Sequence, residues 1–252
     1  MPNPSPLLAG RRALVTGAAR GLGAAIARTF AEAGATGAAL DLAAPTGPMP
    51  DGWHARAADV TDAAALGAAI DSAAIELGGL DVVVANAGLV PPWRRVEALD
   101  FDEWDQVFAV NVRGVAATVK AAVPHLKGRG GSIVLMASLN GRRAHPRQCV
   151  YSATKHAVIG IMRAAALDLG EFGIRVNTLS PGPIATEALR GRVAARAETG
   201  TPVETAFAAM AAASALGRIA TEEEVARAAL FLASDLAGGV TGVDVPVDAG
   251  FD

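Results

Sequence analysis

The strongest constraint on this chain is a repeated alternation of short apolar runs with longer helical patterns. The runs are RALVTG from Arg12, TGAALD from Thr36, WHARAADV from Trp53 and LDVVVANAG from Leu80. GSIVLMAS from Gly131, IRVNTLSPG from Ile174 and VDVPVD from Val243 complete the set. Each is short enough for a buried strand, and the third, which is the most polar, is the weakest. Helical patterns separate them: 21–34, which Gly34 is placed to stop, then 62–77, 102–126, 150–172 and 222–234. Gly114 and Pro124 disturb the third of these, and 183–216 reads as helical but irregular. Near-continuous apolar strands joined by helices predict a parallel sheet covered on both faces. The expected fold is therefore α/β, a single-domain, Rossmann-type doubly wound parallel sheet of about seven strands.

Composition narrows the function classes. The chain has 252 residues, which suits one large domain, and no linker, repeat or low-complexity break divides it. A net charge of −3 gives no reason to expect nucleic acid or an anionic membrane surface as a partner. One cysteine, Cys149, forms no internal disulfide, which fits a reducing cytoplasm. MPNPSPLLAG lacks the basic-then-apolar layout of a secretion signal, so residues 1–9 are expected to be a flexible tail. No uninterrupted apolar stretch reaches membrane-spanning length. The four histidines show no metal-ligand spacing, so no metal is expected.

Thr16 to Gly23, TGAARGLG, sits where the first strand meets the first helix. Glycines there let the backbone turn tightly and approach a pyrophosphate, while the helix start offers free N–H groups. By itself, a turn that merely needs glycine explains the pattern about as well. Asp41 ends the second strand, where a carboxylate can accept from both adenosine ribose hydroxyls and would repel a 2′-phosphate. Arg20 pulls the other way, because a guanidinium suits phosphate. No basic residue directly follows Asp41, so NAD is favoured over NADP.

Tyr151, the sole tyrosine, precedes Lys155 by one helical turn, so the two share a face. An ammonium there favours the phenolate and would bring a phenol of ordinary pKa about 10 into range for acid–base work. A bare Tyr-x-x-x-Lys arises often by chance. Here Ser138 ends the fifth strand, and the glycine loop, Asp41, Asn86-Ala87-Gly88 and Pro181-Gly182 also follow strand ends. They fall on one edge of the sheet, where open α/β sheets bind ligands.

On these residues the chain resembles a classical short-chain dehydrogenase/reductase, over nearly its full length from RALVTGAARGLG to VTGVDVPVDAG. Gly17, Gly21 and Gly23 have the family's spacing. ADVTD matches its adenine-flanking segment through Asp59 and Val60, and ANAG matches its Asn-Ala-Gly turn, with Ala85 a mild departure. The resemblance implies a catalytic tetrad of Asn111, Ser138, Tyr151 and Lys155. Tyr151 would exchange the proton, Ser138 would hold the substrate oxygen, Lys155 would lower the tyrosine pKa and bind the ribose, and Asn111 would position a water. Cofactor contacts are implied for Gly17, Arg20, Gly21, Leu22, Gly23, Asp41, Asp59, Val60, Asn86, Ala87 and Gly88. They are also implied for Tyr151, Lys155, Pro181, Gly182, Ile184 and Thr186.

Substrate candidates are Asn140, Gln148, Cys149 and Trp93. Residues 183–213 are expected to form a lid with Ile184, Leu189, Phe207 and Met210 on its apolar face. Arg142, Arg143, His145 and Arg147 make one loop basic; they could attract an acidic substrate, although solvent or a subunit contact explains them as well. The helices near 102–127 and 150–172 are apolar on more than one face, which with the resemblance implies a homotetramer or at least a homodimer. The expected activity is NAD-dependent interconversion of a small-molecule secondary alcohol and a ketone. The alternatives are an NADPH-dependent ketone or 3-oxoacyl reductase and, less favoured, a non-catalytic nucleotide-binding protein.

Overall fold

The computed structural model describes residues 6–197, 200 and 202–251. Its strands are β1 (Arg12–Thr16), β2 (Thr36–Asp41), β3 (Trp53–Ala57), β4 (Val82–Ala85), β5 (Gly131–Met136), β6 (Ile174–Pro181) and β7 (Asp244–Val247). They pair in the order β3-β2-β1-β4-β5-β6-β7, every pair parallel. The helices are α1 (Gly21–Glu32), α2 (Ala63–Leu77), α3 (Phe101–Phe108), α4 (Val115–Leu126), α5 (Cys149–Leu169), α6 (Glu187–Ala197), α7 (Val203–Ala212) and α8 (Glu222–Ala233). The chain walks outward from β1 to β3, then crosses back through α2 to β4 on the other side of β1. That reversal opens a crevice between the ends of β1 and β4.

Strand side chains alternate between two cores. Leu14, Leu40, Val83, Ile133 and Val176 pack with Leu66, Leu126 and Met162 of α2, α4 and α5. Val15, Val84, Val134 and Leu179 pack with Ile26, Phe30 and Leu232 of α1 and α8. Helix starts are marked by side-chain caps: Asp62 accepts from Ala64 N and Ala65 N at the start of α2, and Thr221 and Glu224 form a capping box on α8.

Three expectations change. The third strand stops at Ala57 instead of reaching Val60, because Asp59 turns the chain by accepting from Thr61 N and Oγ1, both at 2.8 Å. The helix expected over 102–126 is α3 and α4 joined by a π-helical segment, Ala109–Gly114. Gly114 is required there, since a Cβ would come within 2.8 Å of Val60 Cγ2. Phe101–Leu126 does reach membrane-spanning length, at a mean hydropathy of 1.2, but here it packs against α2 and α5. The tail is also shorter than expected. Leu8 is fully buried, and its N–H donates to Ala33 O at 2.8 Å, so residues 6–10 are docked. Residues 1–5 of that expected tail lie outside the described residues.

Arg12 and Asp81 tie β1 to the start of β4. Arg12 Nε and Nη2 reach the two carboxylate oxygens at 2.6 Å, Arg12 N donates to Oδ2 at 2.9 Å, and Nη1 donates to Gly78 O at 2.6 Å. Burial alone would raise the Asp81 pKa; the Arg12 hydrogen bonds and charge overcome it and hold the carboxyl below its ordinary 3.8. A lowered carboxyl stabilises the fold above its unfolded pKa, and that stabilisation is lost as pH falls through the folded value. Asp81→Asn is expected to lower the unfolding free energy by about 3 kcal/mol at pH 7. In urea titrations the gap to the wild-type protein should close below about pH 4.

Candidate active site

The strand ends enclose a cleft of about 990 Å³. At its β1 end the backbone of the glycine loop presses against the turn after β4. Gly17 has φ +65°, and a Cβ there would lie 2.7 Å from Ala87 Cα; a Cβ on Gly23 would lie 2.1 Å from Gly17 O. Thr16 and Asn86 lock this approach: Asn86 Nδ2 donates to Thr16 O and Gly17 O, and Asn86 N and Ala87 N donate to Thr16 Oγ1. The first turn of α1 has no side-chain cap and no acidic residue. Its N–H groups and positive dipole end therefore face the cleft without a competing anion, a setting suited to phosphate. Gly21 has φ +55° and open space where a Cβ would stand. Asp41 accepts from Ala19 N and Leu42 N, both at 2.8 Å, which joins the end of β2 to the same loop.

The other end is built by β5 and α5. Ser138 is extended and accepts from Asn140 N at 3.2 Å, starting a short 3₁₀ turn over Leu139–Gly141. Gly141 lets that turn lie against α5, since a Cβ there would be 2.7 Å from Lys155 O. Ser138 and Tyr151 consequently share one wall of the cleft. Lys155 is buried; its Nζ donates to Met136 O at 2.7 Å and lies 5.6 Å from the Tyr151 ring centroid. Asn111 sits in the π segment with 0% exposure. Its Oδ1 accepts from Leu89 N at 2.7 Å, and its Nδ2 donates to Leu89 O and Thr154 Oγ1. Asn111 Oδ1 and Lys155 Nζ flank Gly88, at 3.5 and 3.8 Å from where its Cβ would be. The tetrad expected from the sequence is thus gathered around one end of the cleft, although Asn111 lies behind the wall.

The electrostatics differ from expectation. Burial raises the Tyr151 phenol above 10; Ser138 and then the charge of Arg192 pull it back only in part. The cation identified as acting on the phenol is Arg192 of α6 rather than Lys155. Burial lowers Lys155 to about 8, which weakens its hold on a charge.

Arg20, Leu22, Asp59, Val60, Gly88, Pro181, Gly182, Ile184 and Thr186 also line the cleft. Gly23 packs beneath the loop instead of facing it, and Thr186 spends its hydroxyl accepting from Leu189 N at the start of α6. Among the substrate candidates, Trp93, Asn140 and Gln148 line the cleft, and Asn140 Nδ2 donates to Gln148 Oε1. Cys149, at the start of α5, is exposed and does not line the main cleft; it lines a smaller pocket with Trp93, Gln148 and Tyr151. Of the lid side chains, Ile184, Leu189 and Met210 line the cleft, whereas Phe207 instead lies under Arg190. Residues 198, 199 and 201 of the expected lid lie outside the described residues. Sequence reasoning missed Arg192 and Phe251, both in the cleft wall. Phe251 arrives through its pairing with Ser214, a long-range contact that no local pattern announces.

A family model described as Enoyl-(Acyl carrier protein) reductase matches residues 17–252. The cis-4-hydroxycyclohexanecarboxylate dehydrogenase of Sinomonas cyclohexanicum is 39% identical, over 96% of each chain. Carveol dehydrogenase from Mycobacterium avium, solved in complex with NAD, superposes with a TM-score of 0.87 at 37% identity, covering 97% of this chain and 98% of that one. The ligand-free aldohexose dehydrogenase of Thermoplasma acidophilum gives a TM-score of 0.89 at 32% identity, covering 97% and 94%. With its parallel sheet, its glycine loop at the crossover and this breadth of similarity, the chain belongs to the short-chain dehydrogenase/reductase family of oxidoreductases.

Proposed function

We propose that this chain is an NAD-dependent dehydrogenase that interconverts a small secondary alcohol and its ketone, with Tyr151, Ser138, Lys155 and Asn111 as the working residues. The observation that carries the reading is the shared cleft: Ser138, Tyr151 and Lys155 stand at one end, with the uncapped start of α1 and the Asp41 carboxylate at the other. The relatives named for hydroxycyclohexanecarboxylate and carveol support an alcohol substrate. The residues fit a dinucleotide. Gly17, Gly21 and the α1 N–H groups would hold its phosphates, and Asp41 its adenosine ribose. When bound, the nicotinamide supplies the hydride acceptor or donor.

The chain's own residues handle the proton. Ser138 orients the substrate oxygen by hydrogen bonding, and Tyr151 takes or returns its proton. Lys155 Nζ has three donors and spends one on Met136 O, which leaves two for the nicotinamide ribose and a proton path. Asn111 Oδ1 accepts once from Leu89 N and keeps a lone pair for a relay water near Lys155. The helices α6 and α7 act as the substrate lid. The exposed Phe101 of α3 and Leu167 of α5 support assembly into a homotetramer, and the lone cysteine fits a cytoplasmic setting. Arg20 in the cleft wall is the observation that favours the second reading, a reductase using NADPH.

Three outcomes are expected. In fluorescence titrations NADH binds about tenfold or more tightly than NADPH, and Asp41→Ala narrows the gap; equal or tighter NADPH binding would transfer the assignment to ketone reduction. Tyr151→Phe loses about 10²–10⁴-fold in kcat while keeping NADH affinity; unchanged turnover removes the tyrosine from the mechanism. Lys155, lowered from 10.5 to about 8 by burial, makes the unfolded chain bind more protons between those values, so wild-type stability rises with pH across that window. Thermal melts should show the wild-type Tm gaining about 5 °C on Lys155→Met between pH 8 and 10.5.

A further inference from the structure

Beyond Tyr151 the cleft continues between α6 and the segment after β5, and one charged group there has no part in the chemistry above. Arg192 of α6 lines this space. Its Nε is buried and makes no hydrogen bond. Tyr151 lines the same cleft, and the charge of Arg192 acts on its phenol. A guanidinium keeps its charge, and withdrawing that charge from water without a partner is costly.

The neighbouring arginines are accounted for. Arg142 faces Asp244 at 3.4 Å, and Arg143 Nη2 donates to Phe251 O at 3.0 Å. Arg190 donates to Ala185 O and lies over the Phe207 ring. Two of the three arginines of the basic loop at 142–147 therefore have partners within the protein. Glu187 and Glu222 reach the cleft wall, yet among the described residues neither forms an ion pair with Arg192. Those two carboxylates aside, the rest of this end of the cleft carries little charge. Asn140 Nδ2 donates to Gln148 Oε1, and His145 is held below 6.5 by burial and the charge of Arg143. Trp93, Leu189 and Met210 supply apolar wall. The space thus offers one fixed positive charge, one phenol and an apolar lining.

We propose that Arg192 receives a carboxylate of the substrate, so that this chain acts on hydroxy or oxo acids. The acid group pairs with the guanidinium fork, the apolar body lies against Trp93, Leu189 and Met210, and the CH–OH carbon meets Ser138 and Tyr151. A single guanidinium matches the charge and planar geometry of one carboxylate. The assignment rests on the dehydrogenase reading for its chemistry, but the carboxylate site can be read by binding alone.

The test is calorimetric titration of the whole protein, with and without NADH, using cyclohexanecarboxylate and its neutral isostere cyclohexanecarboxamide. The acid should bind about 10- to 100-fold more tightly than the amide. Arg192→Met should bring that ratio close to one, and Arg192→Lys should keep part of it. The kcat/KM ratio of 4-hydroxycyclohexanecarboxylate to 4-hydroxycyclohexanecarboxamide should fall in parallel. Equal binding of acid and amide by the wild-type protein overturns the proposal, as does an acid-to-amide ratio that survives in Arg192→Met. A loss in that variant confined to NADH affinity also overturns it, since Arg192 would then serve the cofactor. The two readings fail separately. Selective acid binding without turnover of any alcohol keeps the carboxylate site and sinks the dehydrogenase. Oxidation of neutral alcohols with no acid preference does the reverse.

Discussion

Two backbones meet at the crossover of the sheet, and much of the site follows from how closely they approach. The Gly17 backbone lies where any side chain would strike Ala87, and Gly23 lies where one would strike the Gly17 carbonyl. Asn86 and Thr16 bind the two turns together from both sides. This contact holds β1 and β4 ends in register, directs the start of α1 into the crevice and leaves its N–H groups uncapped. A side chain at Gly17 or Gly23 would push the glycine loop away from the turn carrying Gly88. Gly88 in turn stands between Asn111 and Lys155. The glycine loop therefore sets the spacing between the two ends of the cleft.

At the far end the organising cost is desolvation. Tyr151 and Lys155 are both pushed toward their neutral forms by burial, the phenol upward and the ammonium to about 8. The Lys155 ammonium therefore gives up its proton more readily than in water, and the Tyr151 phenol holds its own more firmly. The π segment that carries Asn111 belongs to the same device. It widens the helix so that the amide can satisfy the Leu89 backbone from inside the protein, and it places Gly114 against Val60. Such bulges commonly mark sites where a helix has been reshaped for function.

The sheet and the strand-end residues were legible because both are local. Apolar runs of strand length, the glycines at 17, 21 and 23, and the one-turn spacing of Tyr151 and Lys155 are written in consecutive residues. What stayed hidden depends on contacts between distant segments. The π turn needs the Val60 side chain to explain Gly114, and the docking of Leu8 needs Ala33. Cys149 adjoins the reactive turn in sequence yet points outward, because neighbouring positions on a helix face different directions. Likewise the supposed influence of Lys155 on the phenol is overtaken by Arg192, forty-one residues on from Tyr151 and supplied by another helix.

The placement of Arg192 bears on how such a fold divides its labour. Strand ends position one set of cleft residues: Ser138 after β5, Asp41 at the end of β2, Pro181 and Gly182 at the end of β6. The excursion that begins near Ile184 is pinned at its base, where Ile184 pairs with Ala220, and the helices between can vary without disturbing the sheet. A group on α6 such as Arg192 can thus change while Tyr151 and Lys155 on α5 stay fixed. Its charge nevertheless acts on Tyr151, so substrate recognition and proton transfer are coupled through one guanidinium. A carboxylate seated on Arg192 would offset the charge that lowers the phenol, leaving Tyr151 more firmly protonated in the complex than in the free protein. A phenol shifted that way is a weaker acid and its phenolate a stronger base, so the charge of the substrate would tune proton transfer without altering the equilibrium between alcohol and ketone.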